Sequence, residues 1–195
     1  MAVLVNMEAP AFEANAVVDG EITRLSLNDY RGRHVVLFFY PLDFTFVCPT
    51  EIVAFNQRID EFAERNTQVL GVSVDSEFTH LAWINTPRHE GGLGGLSYPL
   101  VADLNKRIAS AYDVLLKDDG VALRGLFIID PDGIVQHQVV NNLPLGRSVD
   151  EAVRMLDAVQ FVEEHGEACP ADWSPGRESV KPHPEGAREF FEAWA

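Results

Sequence analysis

The spacing of apolar positions changes along the chain in a way that predicts alternating strands and helices. His34-Val-Val-Leu-Phe-Phe-Tyr40 is an unbroken β-branched and aromatic run stopped by Pro41, the pattern of a buried central strand. From Glu51 the period becomes helical. Ile52, Phe55, Ile59 and Phe62 fall on one stripe, with Asn56, Gln57, Asp60, Glu61 and Glu64 around the rest of the wheel. Val69-Leu-Gly-Val-Ser-Val74 reads as a second buried strand, and strand, helix, strand in that order predicts a parallel crossover.

Further helices are predicted over 78–85 and 105–112. A hairpin is predicted from Leu126-Phe-Ile-Ile129, the turn Asp130-Pro-Asp-Gly133 and the run from Ile134 to Val140. Ser148-Val-Asp-Glu151 matches a capping box opening a long helix with Val153, Leu156, Val159 and Phe161 among its apolar positions. Past Glu164 the chain turns to His165-Gly-Glu-Ala-Cys-Pro-Ala-Asp-Trp-Ser-Pro-Gly and on through Pro182 and Pro184, which no continuous element accommodates. This predicts an extended arm ending in a short helix that carries Phe190, Phe191 and Trp194. Strands covered by helices make an α/β or α+β sandwich.

Composition narrows this picture. With 195 residues, 47% of them apolar, the chain can bury one substantial core, so one domain plus a tail is expected. The first ten residues lack a basic region, and Asn6, Glu8 and Pro10 interrupt their apolar run, so no signal peptide is expected. No stretch approaches the roughly 20 apolar residues of a spanning helix, and a soluble, cytoplasmic protein without a membrane partner is expected. A formal charge of −15 opposes contact with a phosphate backbone, which disfavours nucleic acid and reads as a solvated surface. Cys48 and Cys169 are the only cysteines, too few for a stapled secreted scaffold; they point to chemistry or packing.

Cys48 lies in Tyr40-Pro-Leu-Asp-Phe-Thr-Phe-Val-Cys-Pro-Thr-Glu51, between the central strand and the amphipathic helix. Pro49 is favoured in a first helical turn, which places Cys48 at or next to the helix N-terminus, where unpaired N–H groups and the dipole stabilise a nucleophilic thiolate. The competing reading is a small buried hydrophobe beside Phe46 and Val47. Thr45 stands where a C-x-x-C motif would carry its other cysteine, so dithiol exchange of the thioredoxin type is disfavoured, while one thiolate beside a hydroxyl suits attack on a small oxygen electrophile. Thr45 can also cap the local turn. Arg124 lies directly before Gly125-Leu-Phe-Ile-Ile129 and is read either, if that strand neighbours the one ending at Tyr40, as stabilising the thiolate and the charge developing on such an electrophile, or as a surface salt bridge. Zinc is disfavoured because neither C-x-x-C nor H-x-x-x-H occurs and only His165 and Cys169 are closely spaced. The remaining histidines read as packing or surface residues.

These residues resemble the peroxiredoxins. Pro41-x-x-x-Thr45-x-x-Cys48 matches that family's signature, and the surrounding Phe38 to Glu51 segment is similar to its typical two-cysteine class. Gly71-Val-Ser-Val-Asp-Ser76, Thr79-His-Leu-Ala-Trp83, Arg124-Gly-Leu-Phe-Ile-Ile129, Leu143-Pro-Leu-Gly-Arg-Ser-Val-Asp-Glu151 and His165-Gly-Glu-x-Cys-Pro170 extend the likeness over nearly the whole chain.

The resemblance implies an α/β, thioredoxin-like fold with an N-terminal extension, a peroxidase domain over 1–164 and a C-terminal arm over 165–195. It assigns Cys48 as the peroxidatic thiol, Thr45 and Arg124 as peroxide-binding, Pro41 as a shield, Cys169 of the partner subunit as the resolving thiol, and Glu51 and Arg147 as supports for Arg124. It further implies reduction of hydrogen peroxide and organic hydroperoxides without a cofactor or metal, recycling by thioredoxin or a similar dithiol, and a homodimer assembled into a decamer. Gly91-Gly-Leu-Gly94 resembles the loop linked to overoxidation sensitivity. The chain departs from that pattern at Phe190-Phe191, where a Tyr-Phe pair is expected. Ring-forming members also act as holdases, a second class of function for this chain.

Overall fold

The computed structural model describes residues 2–194, with the side chain of Trp194, one of the three predicted tail aromatics, outside the described residues. Its contacts group the chain into two compact units, residues 1–147 and 148–195.

The first unit is built on a seven-stranded sheet. Its strands are β1 (Glu13–Val18), β2 (Glu21–Ser26), β3 (His34–Phe39), β4 (Thr67–Ser73), β5 (Leu100–Ala102), β8 (Arg124–Ile129) and β9 (Val135–Asn141), in the spatial order β2-β1-β5-β4-β3-β8-β9; β6 (Leu115–Leu116) and β7 (Val121–Ala122) form a separate small ribbon. All six residues of β3 are buried, as the uninterrupted apolar run predicts for an interior strand. β3 pairs in parallel with β4 and antiparallel with β8. Its C-terminal end therefore opens next to the start of β8, which brings Arg124 towards the loop that follows Tyr40.

The crossover from β3 to β4 is helical, as the periodicity predicts, but it consists of two helices. α1 (Cys48–Gln57) begins at Cys48, where Pro49 in the first turn predicts its start, three residues ahead of the apolar period. It ends at Arg58, whose φ of −114° and ψ of 17° leave the helical region, and α2 (Ile59–Glu64) follows. The break re-aims the stripe: Ile52, Phe55 and Phe62 are buried while Ile59 stays half-buried. Arg58 pairs with Glu61 across it.

α3 (Glu77–Asn85), capped by the Ser76 hydroxyl, and α4 (Arg107–Ala111) lie within the predicted helical segments or one residue outside them. The hairpin of β8 and β9 forms around Asp130 to Gly133, with a register shift at Ile128/Ile129.

The Gly91 to Gly94 loop follows α3 and is tied to it. The Trp83 indole N–H donates to the Gly91 carbonyl at 2.8 Å, and the Leu93 N–H donates to the Trp83 carbonyl at 3.0 Å. A Cβ on Gly92 would lie 2.0 Å from the Thr86 carbonyl oxygen, so only glycine permits this approach. Gly92→Ala is accordingly expected to cost about 1–3 kcal/mol. It should lower the thermal midpoint by roughly 2–12 °C, read by calorimetry.

In the second unit, α5 (Val149–His165) starts at Ser148, whose hydroxyl accepts the Glu151 N–H, and ends at Gly166 with φ 67°. The segment after it is pinned locally. Ala168 and Val180 exchange backbone hydrogen bonds at 2.8 Å, Trp173 packs on Phe161, and Arg154 donates to the Trp173 carbonyl at 2.7 Å. α6 (Pro184–Trp194) closes the arm, with Phe190 against Phe191.

Candidate active site

Cys48 is the first residue of α1 and is fully buried. Its surroundings are polar, which separates it from a packing cysteine. The Thr45 Oγ1 lies 2.8 Å from the sulfur and 2.9 Å from the Leu42 carbonyl oxygen. One hydroxyl proton cannot serve both acceptors, so donation to a thiolate leaves the Leu42 carbonyl without it. Turn capping and sulfur contact, the two readings of Thr45, are thus alternatives for the same proton. The loop reaches this geometry through Phe44, whose φ of 52° turns the chain so that Thr45 folds back over the helix start.

From the other side Arg124 Nη1 donates to the Cys48 sulfur at 3.4 Å and to Glu51 Oε2 at 2.6 Å. Arg124 is buried, which excludes the surface salt bridge considered for it. Its Nε donates to the Leu143 carbonyl at 2.7 Å, so the guanidinium is anchored at both ends.

Glu51 is shared with Arg147. Oε1 accepts the Arg147 N–H and Nε, each at 2.8 Å, and Oε2 accepts Nη2 at 3.1 Å. Arg147 Nη1 donates to the Gly125 carbonyl at 2.6 Å, and its guanidinium carbon stands 5.1 Å from the Phe38 ring centroid. Burial lowers the Arg147 pKa from its ordinary value, with the Glu51 carboxylate opposing. Two guanidiniums against one carboxylate leave surplus positive charge beside the sulfur. The helix start adds to it, and the arrangement suits an incoming oxygen bearing developing charge.

The predicted residues Pro41, Thr45, Cys48, Glu51, Arg124 and Arg147 therefore all belong to the first unit; five of them form one hydrogen-bonded cluster, and Pro41 is buried at the start of the same loop. Cys169 belongs to the second unit, half-buried with its sulfur 3.8 Å from the Ala158 carbonyl oxygen. Burial pushes its thiol up, and Arg154 opposes the shift. Both cysteines are free. Among the described residues no group of three or more His, Cys, Asp or Glu is placed to hold a metal ion, and no helix is long and apolar enough to cross a membrane.

Sequence reasoning missed Asp43 and His80, which join Tyr40 in a buried network below the loop. The available signal was a carboxylate two residues before Thr45 and a histidine on the inner face of a helix. Neither announces the other.

The sequence profile of the AhpC/TSA family matches residues 5–138, and that of the C-terminal domain of 1-Cys peroxiredoxin matches residues 158–193, within which Cys169 falls. Peroxiredoxin-2 of Bos taurus is 58% identical over 96% of this chain and 94% of its own length. A mitochondrial thioredoxin-dependent peroxide reductase of the same organism is 57% identical over 96% of this chain and 73% of its own. The reduced 2-Cys peroxiredoxin of Plasmodium vivax superposes with a TM-score of 0.95 at 47% identity, covering 98% of this chain and all of that one. AhpC of Enterococcus faecalis gives 0.80 at 40% identity, over 86% of this chain and 99% of its own. The sheet and its flanking helices are the thioredoxin-like α/β fold of those structures, and with Cys48, Thr45 and Arg124 assembled at the end of β3 the chain belongs to the AhpC/TSA family of peroxiredoxins.

Proposed function

We propose that this chain reduces hydroperoxides through Cys48. The observation that carries the reading is the convergence of the Thr45 hydroxyl and the Arg124 guanidinium on one sulfur, at 2.8 and 3.4 Å. The thiolate attacks one peroxide oxygen, and the O–O bond breaks. The other oxygen leaves with a proton as water or an alcohol, and Cys48 becomes a sulfenic acid. Thr45 and Arg124 hold the peroxide and bear the charge passing to the leaving oxygen, while Pro41 shields the sulfur. Glu51 and Arg147 keep Arg124 in place. No part of the sulfur is exposed, so entry takes side-chain motion around the site, and a small oxidant needs the least of it.

In the second half of the cycle Cys169 of the partner subunit condenses with the sulfenic acid, releasing water and forming a disulfide. A thioredoxin-like dithiol then reduces that disulfide. The bridged Cα atoms must come within about 7 Å, which requires local unfolding at both cysteines. The N-cap of α1, Val47, makes no side-chain cap hydrogen bond, which makes the first turn inexpensive to unwind. On this reading residues 1–164 act as the peroxidase domain and 165–195 as the arm that delivers the resolving thiol, within a homodimer and a decamer of five dimers. The cycle depends on a dithiol pool, for which the cytoplasm is the compartment proposed.

Peroxide consumption by the purified chain should require a thioredoxin system. Peroxide alone should convert it to a disulfide-linked dimer on a non-reducing gel, and Cys169→Ser should remove that band. A wild-type chain that stays monomeric on the gel would count against intersubunit resolution.

A further inference from the structure

Two residues before Thr45, the buried Asp43 carboxylate accepts the Tyr40 phenol at 2.8 Å and meets His80 Nδ1 at 2.7 Å. The other ring nitrogen, Nε2, lies 3.2 Å from the Val101 carbonyl oxygen on β5. Both nitrogens thus face oxygens. A neutral imidazole has only one N–H, so satisfying both contacts takes a second proton between Oδ2 and Nδ1, carried by the ring or by the carboxyl. The proton count is the same in both arrangements. Burial raises the Asp43 carboxyl, with the His80 hydrogen bond opposing.

The backbone is fastened at the same point. The Asp43 N–H donates to Asp75 Oδ2 at 2.9 Å, an oxygen that also accepts the Ser73 hydroxyl at 2.9 Å. The next residue is Phe44, whose left-handed conformation persists only where its surroundings over-determine it. Thr45 follows, with its hydroxyl on the sulfur.

We infer that Asp43 and His80 are positioning residues for the Cys48 chemistry: the proton they share fastens the loop over 41–45 and so holds the Thr45 hydroxyl on the Cys48 sulfur. The inference rests on the reading of Cys48 as the peroxide-reactive thiol. The titratable and charged groups facing His80 and its partner are Asp43 itself, Asp75 from the β4–α3 connection and Tyr40 from the end of β3. Losing either partner leaves the other's buried polar atoms short of a hydrogen bond. The loop then loosens, and the rate of Cys48 oxidation falls.

The test measures sulfenic acid formation by rapid mixing with hydrogen peroxide. Asp43→Ala and His80→Ala should each slow the reaction by roughly ten- to a hundredfold, the scale of a misplaced catalytic group. His80→Asn keeps a donor for Asp43, so it should recover most of the rate. In a Thr45→Val background Asp43→Ala should slow the reaction no further, since the hydroxyl it positions is absent. Hydrogen exchange of the amides of 42–45 reads the fastening without turnover and should quicken in Asp43→Ala. If wild-type Cys48 ignored peroxide, the functional reading would fail while exchange still judged the network. Unchanged exchange in Asp43→Ala, no recovery of rate in His80→Asn, or additive losses with Thr45→Val would each overturn the inference.

Discussion

Cys48→Ser is expected to consume no peroxide above background while unfolding at nearly the wild-type temperature. A serine oxygen cannot be oxidised by peroxide, so no sulfenic acid equivalent forms and the cycle has no first step. The fold has little reason to notice. The hydroxyl occupies the sulfur's place within reach of Thr45 and Arg124, and the Arg124–Glu51–Arg147 cluster keeps every one of its own bonds. Single-turnover peroxide assays and calorimetry on the same preparation separate chemistry from folding. Retained peroxide consumption in the variant would remove Cys48 from the centre of the reaction. A holdase activity, which Phe44 and Phe46 on the exposed part of the loop make worth assaying, should survive the substitution, because it draws on apolar surface and not on the thiolate.

Glu51→Ala should produce the largest loss of stability, with a loss of rate beside it. The Glu51 side chain and both of its guanidinium partners are at most 3% exposed. Deleting the carboxylate leaves two like charges buried without their shared counter-ion, for which about 3–5 kcal/mol is typical. In a chain of this size that lowers the thermal midpoint by roughly 6–20 °C. Salt should recover little of it, since screening acts weakly on buried charges. The rate of Cys48 oxidation should fall about a hundredfold as Arg124 loses its fixed aim at the sulfur. Glu51→Gln keeps the shape and one acceptor oxygen and should fall between the two. Glu13→Ala is the control, because the Arg24–Glu13 pair lies in solvent and its loss should leave the midpoint unchanged. Equal midpoints for the Glu51 and Glu13 variants would show that the buried cluster carries no special weight.

Much of the architecture was legible in short windows of sequence. The unbroken run from His34 predicted β3, Ser148 stands at a real helix start, and Asp130 to Gly133 turns the hairpin. Cys48 at the opening of α1 follows from Pro49 beside it. Such features depend on a residue and its near neighbours, so period, caps and turn chemistry are enough to place them. The roles of Glu51 and Arg147 came from family resemblance, since nothing in their local sequence marks them.

What the tertiary structure alone decided is the pairing of distant groups. Glu51 meets Arg124 across 73 positions and Arg147 across 96, and the Leu143 and Gly125 carbonyls that aim those guanidiniums have no side-chain signature at all. Asp43 and His80 were likewise unreadable as a pair, and the break at Arg58 is absent from the hydrophobic period. The physical reason is common to these cases. A local pattern sets which face of an element is apolar, but the order of strands in the sheet sets which loops share an end. Buried charges acquire their meaning only when that order gives them, or denies them, a partner.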